Sequence, residues 1–433
     1  MPDRIVDRIN VGGEEYHLEP VIDASPVQGS VHAVSSGGTW QAIQDHDIFE
    51  NPVLFNKVFG RDIPKFFRHR FTITYNTDAL NVTYYMGKII YFNSLYIMYG
   101  GGSGIRYRSS LTEGSWTTSS SFAADTRIID VIEAEGALWG VINDTTYKGI
   151  WRSTDGMSWT KLSSLDLKVS SIYYSSDDNT FIAGTESGIY ISTDSGATFT
   201  SAGGPNNAVS IGRTDYSASV LFAGTNGNGL WRSGDYGRTW AQVSSIPSTA
   251  EVQNIPVYSG SLGKFCVGTD SGIYYASGNG SNYTITSVTY KMQTVVCNSS
   301  VFIAAGSDSK GLYWSFDAIN WNKSSDFTDA DVVSRCRTIV FRNGVWVALI
   351  QTSGVSTNSI IWSTNGINWF YADVRPSADV SEFGHVGDIS YVNGVWIFSA
   401  GSTELISIPT WRAHTRLYIA DAEILASSGF FGD

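Results

Sequence analysis

Cysteine is scarce: Cys266, Cys297 and Cys336 are the three in a chain of 433 residues. So small and odd a number excludes a disulfide framework. Each lies in an apolar, strand-like run, where a thiol serves as a small buried hydrophobe. Positive charge is also short, with 28 Lys and Arg against 40 Asp and Glu, and the net charge of −12 is spread without an acidic tail. No basic stripe is present to neutralise phosphates, so no nucleic-acid partner is expected. No apolar run approaches the roughly 18 residues of a membrane-crossing helix, and no membrane insertion is expected. The start, Met1-Pro2-Asp3-Arg4, lacks the basic-then-apolar order of a secretion signal, so synthesis in and release from a cytosol are expected. The six His never fall at ligand spacing, and Gly100–Gly104 has neither a following helical pattern nor a Lys to cradle phosphate. Asp177-Asp178-Asn179 has the residue types of a calcium site but reads as a strand turn. No metal and no cofactor are expected.

What the chain has is glycine, 44 of it, with 42% hydrophobic and 13% aromatic residues. It also has a recurring octet, Ser233-Gly234-Asp235-Tyr236-Gly237-Arg238-Thr239-Trp240. An Asp heading a tight turn accepts hydrogen bonds from N–H groups two residues on, and the Gly after it takes a positive φ without a Cβ clash. Ser192 to Phe199 repeats the pattern in full. Decayed copies run from Ser153 to Trp159, Ser315 to Trp321 and Ser363 to Trp369. The turn residues are therefore Asp155, Asp194, Asp235, Asp317 and Asn365. These octets resemble the Asp-box hairpins (S-x-D-x-G-x-T-W) of sialidase-type and related β-propellers. The resemblance implies a fold and no particular chemistry.

Around the octets, three strand positions repeat. First strands start at Lys88, Arg127, Ser170, Val209, Val252, Gln293, Arg337 and Gly387; second strands recur at Tyr96, Leu138, Phe181, Leu221, Phe265, Phe302, Trp346 and Trp396. Third strands read Gly-Ile/Leu-aromatic, as in Gly188-Ile189-Tyr190, with looser copies at Ile105, Ile360 and Leu417. Each position counts to eight at a spacing of about 40 to 45 residues, which fits four-stranded propeller blades. The expected fold is an all-β propeller of eight blades, with seven as the alternative, over residues 66–433. Phe71–Tyr75 is the segment expected to pair into the last blade, which ends near Ile424–Phe431, and so to remove two open edges.

The faces of such a propeller differ. Loops between second and third strands, and those between blades, open on one side; the octet turns lie on the other. The long connections 200–208, 241–251, 323–335, 351–359, 371–386 and 401–416 all fall on the first side, which makes it the candidate binding face. Twelve of the 14 Trp are locked to repeat positions and read as packing between blades. Trp40 and Trp411 are the exceptions. Trp411, with Arg412, His414 and Arg416, lies in the apparent insertion 401–416 and is the candidate binding cluster, with a plain surface loop as the alternative.

Residues 1–65 stand outside the repeat. Ile9 to Pro20 reads as a Gly-Gly hairpin and Ser35 to Gln44 as a short helix. Together they are too small to bury a core alone, so a partner or copies of the chain are expected. The strings Val11–Tyr16, His32–Ile43 and Glu50–Val58 resemble the N-terminal attachment region of bacteriophage tail-fibre and tail-tip proteins. That resemblance implies attachment to other phage tail proteins through residues 1–65, a homo-oligomer such as a trimer, and a place in the virion after assembly in the bacterial cytoplasm. The propeller would then bind a host cell-surface glycan or protein without catalysis, as one of several copies. Two alternatives stand beside this: a tail-borne glycan hydrolase on the same scaffold, and a purely structural tail component. Sialidase chemistry fits poorly, since Arg61-Asp62-Ile63-Pro64 interrupts the required Arg-Ile-Pro. A hydrolase needs two facing carboxylates, and Asp130, Asp215 and Asp388 occupy comparable first-strand positions.

Overall fold

The computed structural model describes residues 8–11, 14–17, 74–76, 88–100, 104–111, 115–123, 126–306, 311–324, 333–342, 344–352, 358–371, 389–393, 395–399 and 405–409. The chain divides into two compact units. Within Met1–Thr72, which belongs to one of them, the described part is a hairpin of Arg8–Val11 with Glu14–His17, where the Gly-Gly turn was expected.

The other unit is a ring of four-stranded antiparallel sheets, a β-propeller. Seven blades are built from four consecutive strands each. Their innermost strands are Ile89–Phe92, Ile128–Ala134, Val169–Ser175, Ala208–Arg213, Val257–Ser259, Met292–Cys297 and Val333–Arg342, and the blades are numbered 1 to 7 in that order. A further four-stranded sheet is composite. Ile389–Val392, Val395–Ser399 and Leu405–Pro409 are completed by Thr74–Asn76 from before blade 1, with Tyr75 opposite Ile406. Seven blades, the alternative count read from the sequence rather than the eight expected first, are continuous in sequence, and the remaining sheet draws its fourth strand from before blade 1.

Second strands form the core because both their faces are covered. Thr180–Thr185 and Leu221–Thr225 are buried at every position, as expected for central strands packed between neighbouring blades. All twelve repeat-locked Trp are buried or half-buried; Trp139 and Trp346 are fully enclosed. Cys266 and Cys336 are buried and Cys297 half-buried, and all three are free thiols. Burial pushes the Cys297 and Cys336 thiols up to about 12, so they act as apolar side chains at neutral pH.

The octet turns have the expected bonding. Ser192 Oγ donates to Asp194 Oδ1 at 2.7 Å and accepts from Gly196 N at 2.9 Å, while Asp194 takes both the N–H and the hydroxyl of Thr198. Each turn also clasps the preceding blade. Asn93 Nδ2 donates to Thr154 O at 2.9 Å, and Ser195 Oγ donates to Glu135 at 3.1 Å. Asp177-Asp178-Asn179 is a strand turn, its carboxylates paired with Arg213 and Arg238 of the next blade.

Three expectations shift. The first strand of blade 5 is Val257–Ser259 rather than 252–255, because Pro256 cannot donate to a ladder, and Val252 N instead bonds Thr225 O of blade 4. The third strand of the composite sheet is Leu405–Pro409 rather than one at Leu417. The stretch 401–416 is consequently no simple insertion loop, and Trp411, Arg412, His414 and Arg416 lie outside the described residues. Strands also take up Thr200–Gly203, Ala241–Gln242 and Val333–Arg335, which shortens the connections read there as long loops.

Candidate functional site

The innermost strands of blades 2, 3, 4, 6 and 7 share one irregularity near their start. The register slips between Ile128 and Asp130, Val169 and Ser171, Ala208 and Ser210, Met292 and Thr294, and Cys336 and Thr338. The residue before each slip is buried. A bulge of this kind bends the strand and re-aims the next side chain. That next residue is Ser or Thr in four blades and Asp in blade 2. In blade 3 it is a latch: Ser171 Oγ donates to Ala208 O of blade 4 at 3.0 Å.

Asp130 has no proton to donate when ionised. Its Oδ1 accepts from Val131 N at 3.0 Å, the hydrogen bond recorded for its side chain among the described residues. Burial raises its pKa; Lys88 and the Val131 N–H pull the other way without cancelling the rise. Among the described residues it is the carboxyl whose pKa is raised. The octet carboxylates move in the opposite direction. The Thr198 hydroxyl and N–H bring Asp194 down to about 2; at Asp317 burial is outweighed by bonds from Asn320, Ile319 and Ser315, again giving about 2.

Lys88 occupies the matching place on blade 1. The first hairpins of blades 1 and 2 both close with two residues between paired ends, Phe92 with Leu95 and Ala134 with Ala137. Counting four back from Phe92 gives Lys88, and four back from Ala134 gives Asp130. The composite sheet closes likewise, Val392 with Val395, and the same count gives Asp388, which lies outside the described residues. Blades 1 and 2 thus carry Lys88 and Asp130 at one count, and Ser171 follows on blade 3. Asp215 does not belong with them. It is exposed, two residues beyond the strand Ala208–Arg213, at the opposite end of its blade. Sequence reading named Asp130, Asp215 and Asp388 at comparable first-strand positions and passed over Lys88, whose signal was the equal distance to a two-residue turn.

First strands start at the connections between blades, so Asp130 sits towards the long-loop face. The site is therefore a partly buried carboxyl with a neighbouring ammonium, near the rim where connections are longest. Among the described residues no cluster of three or more His, Cys, Asp or Glu could hold a metal ion. None of their helices is long and apolar enough to cross a membrane.

Residues 74–210 match the family described as the DUF6242 beta propeller domain. Over 205 residues, 43% of this chain, the sequence is 29% identical to a xyloglucanase of Hypocrea jecorina (strain QM6a), and the match spans 23% of that enzyme's length. The fold is similar to the computationally designed Ika8 protein, with a TM-score of 0.57 at 9% identity over 76% of this chain and 98% of the design. A GH74 xyloglucanase from Xanthomonas campestris aligns with a TM-score of 0.46 at 14% identity, covering 70% of this chain and 56% of the enzyme.

Proposed function

We propose that this protein acts on glycans as a glycoside hydrolase built on one propeller, with Asp130 as the proton donor. The observation that carries the reading is the raised pKa of Asp130 at a re-aimed inner-strand position where other blades place a hydroxyl. Glycosidic cleavage needs a carboxylic acid that keeps its proton near working pH and delivers it to the leaving oxygen as the C–O bond breaks. It also needs a second carboxylate that deprotonates water or attacks the anomeric carbon, and Asp388 is assigned that part. Lys88, at the same count on blade 1, favours the ionised form of a neighbouring carboxyl and so keeps Asp130 from being raised further. The 29% identity to a xyloglucanase over 205 residues supports a β-glucan as the substrate class.

The test is release of reducing ends from xyloglucan by the wild type, D130N and D388N. Both variants are expected to lose at least about a hundredfold in rate, the scale of general acid–base assistance. A wild type that releases nothing, or a D130N variant that is fully active, overturns the reading.

The strings Val11–Tyr16, His32–Ile43 and Glu50–Val58 favour a second reading, in which the propeller binds a host-surface glycan without cleaving it. Residues 1–65 would then dock on phage tail proteins, in several copies, within the virion. Adsorption of the purified chain to host cells with no shortening of their surface polysaccharide would select it.

A further inference from the structure

Amide side chains gather on one sector of the long-loop side. Asn206, Asn207, Asn226, Asn228, Gln253 and Asn254 lie on three successive connections, from blade 3 to 4, within blade 4 and from blade 4 to 5. Five are exposed and Gln253 is half-buried. The corresponding connections on the flanking blades, 162–168, 186–187, 270–271 and 286–291, hold no Asn or Gln.

The three connections are fastened into one surface. Asn228 Nδ2 donates to Asn206 O at 3.4 Å, Gln253 Nε2 donates to Asn226 Oδ1 at 3.4 Å, and Asn226 bridges Glu251. Beneath them Thr225 Oγ1 donates to Gly229 O at 2.6 Å and accepts from Asn228 N at 2.9 Å, while Gly229 N and Val252 N bond Ala250 O and Thr225 O. These bonds hold the backbone in place and leave much of the amide surface facing water. Charge is neutralised locally, since Glu251 pairs with Lys291 at 2.8 Å. Gly227, between two of the amides, has open space where a Cβ would stand.

Each amide offers donors and an acceptor without net charge. A row of them on a fixed backbone matches a ligand whose groups are likewise both donor and acceptor, uncharged and repeated along a chain. We propose that this sector is a binding subsite for a neutral glycan strand, resting on the glycan reading above but separate from Asp130. Acidic polymers are disfavoured there, because the cation Lys291 is already paired with Glu251 and the exposed carboxylate of Asp270 lies beside them.

The test is affinity electrophoresis of the full chain through gels containing xyloglucan or polygalacturonate. The wild type is expected to be retarded by xyloglucan and not by polygalacturonate. N226A/N228A is expected to weaken retardation roughly fivefold or more, about one lost hydrogen bond or two. N279A, on the tight-turn side, should migrate as the wild type does. If N226A/N228A fails to fold by circular dichroism, Q253A replaces it. Unchanged retardation of the folded variants, retardation by polygalacturonate alone, or none by either gel overturns the proposal. Loss of hydrolysis in D130N with retardation intact is the expected separation. A wild type retarded but inactive counts against the catalytic reading alone.

Discussion

Asp130 and Ser171 hold equivalent places, and the difference between them is one proton. Ser171 donates across to blade 4 at any pH. An ionised carboxylate in a partly buried place cannot donate, and burial raises its pKa. A folded pKa above the unfolded value, near 4, means that the protonated form stabilises the fold. That contribution is complete below the unfolded value and is lost as pH rises through the folded one. D130N keeps an acceptor for the Val131 N–H and adds a permanent donor. Its urea midpoint at pH 7 should correspond to about 1 kcal/mol more stability than the wild type, one net hydrogen bond. The difference should shrink towards pH 3, and a midpoint below that of the wild type at pH 7 would count against the argument. Lys88 acts in the other direction. K88M should raise the Asp130 pKa further, seen as a later carboxyl titration by carbon-13 NMR and as a basic limb of the activity profile moved to higher pH.

At the level of the turn, the octet proves to be a fastening between blades as well as a hairpin closure. A Cβ on Gly196 would stand 2.7 Å from the Trp139 ring of blade 2, one on Gly156 2.3 Å from Ile97 of blade 1, and one on Gly366 2.7 Å from Ile303 of blade 6. Gly203 has a similar φ, +72° against +82° at Gly196, but nothing within 4 Å. G203A should therefore cost about 1 kcal/mol for the left-handed backbone alone. G196A should cost about 2 to 4 kcal/mol, since overpacking adds to the strain; equal losses by chemical denaturation would refute the clasp. Asp317 supplies a pH test. Its lowered pKa gives stability that is full above about 4 and lost as pH falls through about 2, so D317A should lose about 1 kcal/mol at pH 7 and progressively less as pH falls below about 4. The Ser and the Asp or Asn of each turn, with the Gly of four of the five, were legible in the sequence because their bonds are local. The partner that crowds Gly196 was not, since Trp139 lies a whole unit earlier. The first strand of blade 5 was misplaced for a related reason: Val252–Ile255 has strand composition, and only the neighbouring Pro256 and the bond to Thr225 show that it spans two blades.

Over the whole ring, the repeat was legible and the site mostly was not. Counting units needs only the period, whereas the common count of Lys88 and Asp130 appears once the hairpin turns are fixed, and the amides of one surface are spread from Asn206 to Asn254. Closure was legible in part: the segment before blade 1 was expected in the last sheet, and Thr74–Asn76 does pair with Leu405–Pro409. Blade 1 joins the same sheet from the other side, where Ile89 N donates to Ser390 Oγ at 2.9 Å and Ile397 packs with Ile89, Tyr96 and Met98. Pairing across more than 300 residues constrains the folded ring, and without Thr74–Asn76 the strand Leu405–Pro409 becomes an open edge. A chain starting at residue 78 should melt on the order of 5 °C lower than one starting at residue 67, and should aggregate on concentration where the longer chain stays monodisperse. Light scattering and calorimetry on the two truncations check this. Equal melting and equal solubility would mean that the ring closes through the contacts of blade 1 alone.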